Sequence, residues 1–279
     1  MPLRLIDQVC DPDDAANADG WFSDAMTAVL LDGATPKARA PLTGHVNDTV
    51  WLVRRFVELW QRAELGSADA AERAELARVA LGEEYSALSA GAAAAESPFA
   101  CLTIVQATGA GLELFNMGDQ TVLLRAEDGS VSRFGESAVR QLDGEAIAGL
   151  RRALAEGITP HAERLRRIEA VLAANQARRN VLPGYEVLEP GVSCLGRFER
   201  LSCAPPAARS VLMMSDGFYR LVDTFERYTD ASLFDAVERR GLRALLAELR
   251  AIELADAECV RHPRFKAHDD ATALWLAID

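Results

Sequence analysis

Aspartate residues stand at the ends of several hydrophobic runs, where the backbone would fix the positions of their carboxylates. Asp32 ends the run TAVLLDG, Asp119 ends LELFNMGD, and Asp216 ends SVLMMSDG. Asp269 stands just before the last run, ATALWLAI, and Asp19 precedes the strand that leads to Asp32. Because several strand ends of one sheet system can converge, these five carboxylates are candidates for a single site.

The chemistry of such a site follows from its oxygen ligands. Clustered carboxylates repel each other unless a cation lies between them. Oxygen ligands without matched His or Cys favour Mg²⁺ or Mn²⁺, and a glycine such as Gly33 lets a backbone carbonyl approach the ion as well. Two such ions can share a bridging carboxylate and activate water for attack on phosphorus. The aspartates therefore indicate a divalent-cation site suited to phosphoryl chemistry.

Each of these aspartates also has a simpler interpretation as a turn residue. Asp-Gly commonly ends a strand, because Asp bonds its own backbone and Gly adopts a positive φ. Asp128-Gly129 and Asp143-Gly144 are interpreted in this way, the first in a hairpin and the second before a helix. From spacing alone, the cation site and a set of unrelated turns both stay open.

The elements that must position these residues are visible in the hydrophobic pattern. Apolar runs predict strands over residues 3–9, 26–31, 101–108, 112–117, 121–125, 131–134, 211–214 and 271–278. Short turns at Ala110-Gly111 and Asp128-Gly129 predict that residues 101–134 form an antiparallel meander. Gly91 to Glu96 is interpreted as a short hinge-like segment between a helix and a strand.

Helical periodicity completes the predicted architecture. Val46, Val50, Val53, Val57 and Trp60 form one apolar stripe, and further helices are predicted over 68–88, 145–155, 162–178 and 242–253. Strands before, between and after paired helices predict an α+β layered fold with antiparallel sheets inside and helices outside. No composition break marks a boundary, so residues 1–279 are predicted to form a single domain.

Composition excludes several classes of partner. The chain of 279 residues has a formal net charge of −12, which argues against nucleic acid and anionic membranes as partners. Its apolar runs fall far short of the roughly 20 residues that a membrane span needs. Five cysteines without a CxxC pair, and an N-terminus that is acidic too early for a signal peptide, indicate a cytoplasmic protein with reduced thiols.

Five motifs resemble, in order and over residues 17–278, those of the metal-dependent protein phosphatases, the PPM or protein phosphatase 2C family. Asn17-Ala18-Asp19 is similar to the opening Asn-Glu-Asp, and Leu31-Asp32-Gly33-Ala34-Thr35 to the Asp-Gly-His-Gly-Gly segment. Asn116-Met117-Gly118-Asp119-Gln120 is similar to the Gly-Asp-Ser hairpin, Met214-Ser215-Asp216-Gly217-Phe218 to Ser-Asp-Gly, and Asp269-Asp270-Ala271-Thr272 to Asp-Asn-x-Thr. Any one motif is weak, but five in register are specific.

The resemblance implies a four-layer α-β-β-α sandwich, in which helix pairs flank two packed antiparallel sheets. It implies a binuclear Mn²⁺ or Mg²⁺ centre that hydrolyses phosphoserine or phosphothreonine in a protein through a metal-bridging hydroxide, without a covalent enzyme intermediate. Asp32 would bridge both ions, the Gly33 carbonyl would bind the second, and Asp216 and Asp269 would hold the first. Asp19 would bind the second ion directly or through water, and Asp119 would help to form the weaker third site of some members.

Three departures from the family pattern bear on activity. Ala18 replaces an acidic residue that often precedes the first aspartate. Ala34 stands where many members carry a histidine proposed as general acid, and Asp13 lies about where an arginine often grips the substrate phosphate. An arginine of the doublets Arg54-Arg55, Arg178-Arg179 or Arg239-Arg240 is a candidate substitute, although most such doublets are solvated.

These departures leave alternatives open. The first hypothesis is a metal-dependent protein serine/threonine phosphatase, the second a phosphatase-like regulatory module with little or no catalysis, and the third a small-metabolite phosphatase. Two minor sites are also considered. Cys259, His262 and His268 could bind zinc, and His45 could reach the aspartates, although surface and helix-entry positions are the simpler interpretations. The oligomeric state is not predicted.

Overall fold

The computed structural model describes residues 2–12, 14–34, 41–62, 69–89, 97–135, 138–204 and 208–279. The strands are β1 (Leu3–Asp11), β2 (Asp19–Ser23), β3 (Thr27–Gly33), β4 (Ala100–Thr108), β5 (Gly111–Met117), β6 (Thr121–Arg125), β7 (Val131–Phe134), β8 (Glu199–Cys203), β9 (Ser210–Met214) and β10 (Ala271–Ile278). The helices are α1 (Asp48–Trp60), α2 (Ala70–Ser89), α3 (Ala138–Ala155), α4 (His161–Gln176), α5 (Asp216–Asp223), α6 (Asp230–Arg240) and α7 (Leu242–Ala255). The proposed hinge at 91–96 and Asp13 lie outside the described residues.

Two five-stranded antiparallel sheets form the centre of the fold. The first sheet has the order β1-β10-β9-β6-β7 and the second the order β2-β3-β4-β5-β8. Fully buried side chains from both sheets, such as Leu30, Leu114, Met213 and Leu274, pack together between them. This core arises because most inward residues of the central strands are apolar, which is the pattern that packs two sheets face to face.

Helices cover the outer face of each sheet. Phe56 and Trp60 of α1 pack with α2 against the second sheet, whereas Phe218, Leu233 and Leu245 of α5, α6 and α7 pack against the first. The predicted α-β-β-α sandwich is therefore confirmed.

Helices α3 and α4 form a small apolar cluster of their own around Leu150 and Ile168. Among the described helices, none is long and apolar enough to cross a membrane. That the whole chain is one domain stays a prediction.

The predicted strands are present, with three corrections. Strands β2 and β8 were not predicted, and Asp19 begins β2, which precedes the strand β3 that contains Asp32. The prediction of one antiparallel meander over residues 101–134 is wrong, because β5 and β6 belong to different sheets and do not pair. Gly118, whose φ of 109° suits only glycine, begins the turn in which the chain crosses from one sheet to the other.

The helices differ from the prediction mainly at their starts. Asn47 caps α1 through its side chain, which leaves Val46 outside the helix and exposed. Helix α3 begins at Ala138, so Asp143-Gly144 lies inside a helix and does not precede one. Helices α5 and α6 were not predicted. Helix α5 begins at Asp216 itself, so this aspartate belongs to the first turn of a helix as well as to a strand end.

Candidate metal centre

The second sheet contributes two aspartates that face each other. In the antiparallel register of β2 and β3, Asp19 lies directly opposite Asp32. Gly33 follows, and its N–H donates to the Ala18 carbonyl at 3.1 Å. A Cβ at position 33 would come within 2.6 Å of both that oxygen and Thr49 Cγ2. Only glycine therefore allows β2, β3 and the start of α1 to meet this closely beside the two carboxylates.

The first sheet contributes aspartates from two neighbouring strands. Asp216 follows the end of β9 and Asp269 precedes the start of β10, and the two strands are antiparallel neighbours. The turns are tied together by hydrogen bonds from the Ser215 N–H to the Thr272 carbonyl and from the Thr272 N–H to Ser215 Oγ, both 2.9 Å long. Antiparallel pairing places the end of one strand beside the start of the next, so both aspartates lie at one edge of the sheet.

The crossing between the sheets contributes Asp119. It lies between Gly118 and the start of β6, which pairs with β9 so that Thr121 is opposite Met214. The Cys101 thiol donates to Asp119 Oδ1 at 3.2 Å. A Cβ on Gly118 would fall 2.2 Å from that sulfur, which explains why the crossing needs glycine. Asp119 therefore reaches the same edge as Asp216.

The two groups of aspartates meet between the sheets. The backbone N–H of Asp216 points to Asp32 Oδ2 at 3.4 Å, and the Ala18 N–H donates to Asp270 Oδ2 at 2.8 Å. These contacts join strand ends of both sheets at one edge of the sandwich. The predicted convergence of Asp19, Asp32, Asp119, Asp216 and Asp269 thus appears in the fold, and their roles as ligands stay a prediction.

Burial and mutual repulsion dominate the electrostatics of this cluster. Burial, with smaller contributions from neighbouring carboxylates, raises the pKa of Asp19 to about 8 and that of Asp119 to about 6. Burial also raises the pKa of Asp32 well above its ordinary value, and the charge of Asp19 is the next cause. These groups are costly to ionise together unless positive charge enters the site.

The residues present fit a hard divalent cation. Asp19 is only 7% exposed, and neither of its carboxylate oxygens accepts a hydrogen bond from a described residue. The Thr272 hydroxyl lies close enough to favour the ionised form but is not in hydrogen-bonding geometry. A buried carboxylate without partners is rare and calls for a cation or ordered water. Among the described residues no three acidic, His or Cys side chains are already grouped as a coordination shell.

A cleft of about 560 Å³ opens beside Asp119 and Asp216. Arg140 of α3 lines it, held by Nη2 hydrogen bonds to the Asp119 carbonyl at 2.9 Å and to the Thr121 hydroxyl. Its guanidinium also stacks over the Tyr219 ring. This anchoring leaves Nε and Nη1 of Arg140 without a hydrogen bond among the described residues, so they are available to an anion in the cleft.

The arginine doublets do not line this cleft. Arg55 pairs with Glu84, Arg179 lies 3.4 Å from Glu189, and Arg240 pairs with Glu248. Sequence reasoning missed Arg140, and also Arg220 and Lys266, which both bond Asp269. None of these three belongs to a doublet or to a periodic motif. For Arg220 and Lys266 the available signal was their closeness in sequence to Asp216 and Asp269, whereas Arg140 carried no such signal.

The alternative sites do not assemble. The ring of His45 is exposed and contacts the Thr43 carbonyl. His262 contacts the Thr224 carbonyl at 3.1 Å, whereas His268 contacts Glu253 Oε2 at 3.2 Å. Cys259 is buried, with His161 Nε2 3.8 Å from its sulfur. These residues have separate partners, so the zinc interpretation has no support in the described part of the chain.

Comparison with known proteins places this architecture in a family. The family described as Protein phosphatase 2C matches residues 7–251. The chain therefore belongs to the protein phosphatase 2C family, which confirms both the resemblance seen in the motifs and the predicted class of phosphoric ester hydrolase. A search of curated proteins finds no significant match.

Solved structures agree on the fold. The serine/threonine phosphatase PstP/Ppp of Mycobacterium tuberculosis is similar, with 16% identity, a TM-score of 0.56 and full coverage of both chains. The catalytic domain of PstP in complex with two manganese ions gives 16% identity and a TM-score of 0.54 over 100% of this chain and 99% of that one. The serine/threonine phosphatase Stp1 of Staphylococcus aureus has 14% identity and a TM-score of 0.53, and the match covers 100% of this chain and 96% of Stp1. At this identity the likeness establishes the fold.

Proposed function

We propose that this chain is a metal-dependent phosphomonoesterase that removes phosphate from phosphoserine or phosphothreonine in proteins. The observation that carries the proposal is the buried carboxylate of Asp19, which lies directly opposite Asp32 and has no hydrogen-bond partner in the described part of the chain. The family supports this choice of reaction, and the PstP structure with two manganese ions supports the choice of cation.

The ligand assignment follows the position of each residue. Asp32 and the Gly33 carbonyl, next to Asp19, would hold one Mn²⁺ or Mg²⁺ ion. Asp216 and Asp269, together with Asp32, would hold another, and Asp119 would add a third, weaker position. When bound, such ions supply positive charge that polarises phosphoryl oxygens and lowers the pKa of water.

The protein's own groups complete the site. Arg140 would bind the phosphoryl group through its Nε and Nη1 donors, which have no hydrogen-bond partner among the described residues, because a guanidinium matches two phosphate oxygens at once. Its anchoring to Asp119 and Thr121 fixes the donors before substrate arrives. Arg140 would thus replace the arginine that the sequence lacks near position 13.

The cellular setting is part of the proposal. We infer a phosphorylated protein as substrate and a cytoplasmic location, which five cysteines without a disulfide support. A net charge of −12 supports the absence of nucleic acid and of anionic membrane from the set of partners.

A regulatory module with little turnover is a second candidate function. It is favoured by one observation, which is that Arg220 and Lys266 already bond both carboxylate oxygens of Asp269. In such a module the fold would present a surface to a partner, and ion binding would be incomplete.

The experiment that separates these functions measures hydrolysis by the full chain after chelation and after return of Mn²⁺ or Mg²⁺. Substrates would be an aryl phosphate, phosphoserine and phosphothreonine peptides, and a set of small phosphate esters. Asp32→Asn and Asp216→Asn are each expected to abolish metal-dependent turnover. Asp128→Asn, which alters an exposed hairpin turn, is the control. A metal-independent rate, or full activity in either variant, would exclude the proposed mechanism, and turnover of small esters alone would change the substrate class.

A further inference from the structure

Asp269 differs from the other aspartates of the cluster because its charge is already compensated. Its Oδ2 accepts a hydrogen bond from Arg220 Nη2, and its Oδ1 accepts one from Lys266 Nζ. The Asp269 side chain is 9% exposed and that of Arg220 is 7% exposed, so this ion pair is largely shielded from water. Both oxygens that a cation would use are therefore occupied by the protein's own positive charges.

The two basic residues are held to different degrees. Arg220 is buried, and its Nη1 donates to Glu253 Oε1 at 3.3 Å and to the Lys266 carbonyl at 3.4 Å. Glu253 has no exposed surface and is also held by Arg250 at 2.6 Å, so the guanidinium of Arg220 is fixed. Lys266 is 40% exposed, and Asp269 is its ion-pair partner among the described residues. Arg220 is thus a permanent neighbour of Asp269, whereas Lys266 can move away.

The opposite end of the cluster has the reverse character. Asp19 has two buried oxygens without a partner, and no ion pair joins Asp19 or Asp32 to a basic side chain in the described part of the chain. Repulsion between these two carboxylates is relieved only when a cation enters. The half of the site with Asp19 and Asp32 therefore attracts a cation strongly. The half with Asp269 presents the positive charges of Arg220 and Lys266 to it.

We propose that the two cation positions have unequal affinity, because Lys266 competes with the ion at Asp216 and Asp269. One divalent ion binds tightly beside Asp19 and Asp32. The ion at Asp216 and Asp269 binds weakly, against the fixed charge of Arg220 and only when Lys266 leaves Asp269. This inference rests on the proposed function, and it makes the ion at Asp216 and Asp269, rather than the ion beside Asp19 and Asp32, the one whose supply regulates the enzyme.

The affinities can be measured without turnover. The full chain is freed of metal with a chelator and titrated with Mn²⁺, while electron paramagnetic resonance measures the free Mn²⁺. One tightly bound ion and one ion bound at least ~10-fold more weakly are expected. Lys266→Met is expected to raise the affinity for the weaker ion, at Asp216 and Asp269, by about 10-fold and to leave the affinity for the tight ion unchanged, since one competing charge is removed. Lys266→Arg retains the charge and should stay close to the native protein.

The matched control is Arg261→Met. Arg261 is exposed and lines the same cleft, but it makes no ion pair among the described residues, so this variant removes one positive charge without freeing Asp269. It should leave both affinities nearly unchanged. An equal gain in Arg261→Met and Lys266→Met would attribute the effect to general charge and would overturn the inference.

A second measurement reports on Lys266 itself. The chain contains only two lysines, Lys37 and Lys266, so reductive methylation with a ¹³C label gives a simple spectrum that Lys266→Arg assigns. During titration with diamagnetic Mg²⁺, the Lys266 resonance is expected to shift in the second phase of binding only. Two ions of equal affinity in both the native chain and Lys266→Met would overturn the inference and leave the proposed function intact. Failure to bind any ion would instead overturn the proposed function, and the inference with it.

Discussion

Asp19 on β2 and Asp32 on β3 lie directly opposite each other in an antiparallel pair. Directly opposed side chains have Cβ atoms about 4.5–5.5 Å apart, and like charges in such positions destabilise a sheet. Here the Asp19 carboxylate is also buried and has no hydrogen-bond partner within the ranges that the structure describes. The strand register thus imposes a repulsion that a bound cation removes, so the stability of the protein should report on the state of this site.

The first prediction concerns the stability of the metal-free protein as pH changes. Asp19, Asp143 and Asp119 have pKa values raised to about 8, 7 and 6 in the folded state. Between pH 4 and 8 the folded chain therefore binds more protons than the unfolded chain, and its stability must fall as pH rises. In chelator, the melting temperature should be higher at pH 5.5 than at pH 8, and Mn²⁺ should raise it more at pH 8.

Two variants test the cause of this trend. Asp19→Asn removes a raised pKa, so it should flatten the pH dependence and reduce the stabilisation by Mn²⁺. Asp128→Asn should do neither, because hydrogen bonds from Ser130 lower the pKa of Asp128. A metal-free protein that grows more stable from pH 5.5 to 8 would contradict the proposed electrostatics.

The second prediction concerns Gly217, which follows Asp216 in the first turn of α5. A Cβ at this position would fall 2.0 Å from the Asp270 carbonyl oxygen and 3.3 Å from Asp269 Cβ. Gly217→Ala should therefore push the turns before α5 and β10 apart, lower the free energy of unfolding by about 1–3 kcal/mol and abolish turnover. Chemical denaturation and an aryl phosphate assay measure both effects.

A second glycine provides the control. Gly144 lies inside α3, and a Cβ there would meet no atom within 4 Å. Gly144→Ala is expected to stabilise the protein by about 0.5–1 kcal/mol, since alanine is the better helix former. If Gly217→Ala were as stable and active as Gly144→Ala, the close packing of the two turns would have no functional role.

Much of the sheet framework was predictable from sequence, because buried strands are uninterrupted apolar runs. The strands over 121–125, 131–134 and 271–278 have the predicted bounds. The crossing at Gly118 was not predictable from local pattern, since a short glycine turn also suits a hairpin within one sheet. Whether β5 and β6 pair depends on which sheet each strand joins, and that is decided by distant partners such as β9.

The candidate site shows the same division. Asp32, Asp119 and Asp216 were found from their positions at the ends of apolar runs. The basic residues around them were not, because Arg220 of α5 and Lys266 of the segment before β10 meet Asp269 only in the folded chain and carry no periodic signal. Helix α5 was missed because its first residues look like a strand-ending turn, although Ser215 is well suited to the position before a helix.

The third prediction concerns Arg140 as the phosphate-binding group. Arg140→Ala removes two charge-assisted donors from the cleft, so it should raise the KM for a phosphopeptide about 10-fold and weaken inhibition by inorganic phosphate equally. Arg140→Lys keeps the charge but not the paired donors, so its KM and its inhibition by phosphate should lie between those of the native enzyme and those of Arg140→Ala. Arg152→Ala is the control, because Arg152 is exposed on the same helix and does not line the cleft. Unchanged inhibition by phosphate in Arg140→Ala would exclude this role.

The fourth prediction concerns Asp143 as a proton donor. Asp143 is half-buried in α3 and lines both the cleft beside Asp216 and a second cleft of about 660 Å³ that contains Ala34. Burial, then the charges of Asp119 and Asp216, raise the pKa of Asp143 to about 7, so the carboxyl can carry a proton near neutral pH. It could therefore supply the proton for which the sequence offers no histidine at position 34.

Asp143→Asn cannot donate that proton, and its effect should depend on the leaving group. Turnover of a phosphoserine peptide, whose alkoxide is a poor leaving group, should fall about 10²-fold, whereas an aryl phosphate should be affected far less. In the native enzyme kcat should fall as pH rises past the pKa, at or below about pH 7 because bound cations relieve the repulsion from Asp119 and Asp216. The variant should lose this descending limb. An equal loss on both substrates, with the limb retained, would show that Asp143 shapes the cleft without moving a proton.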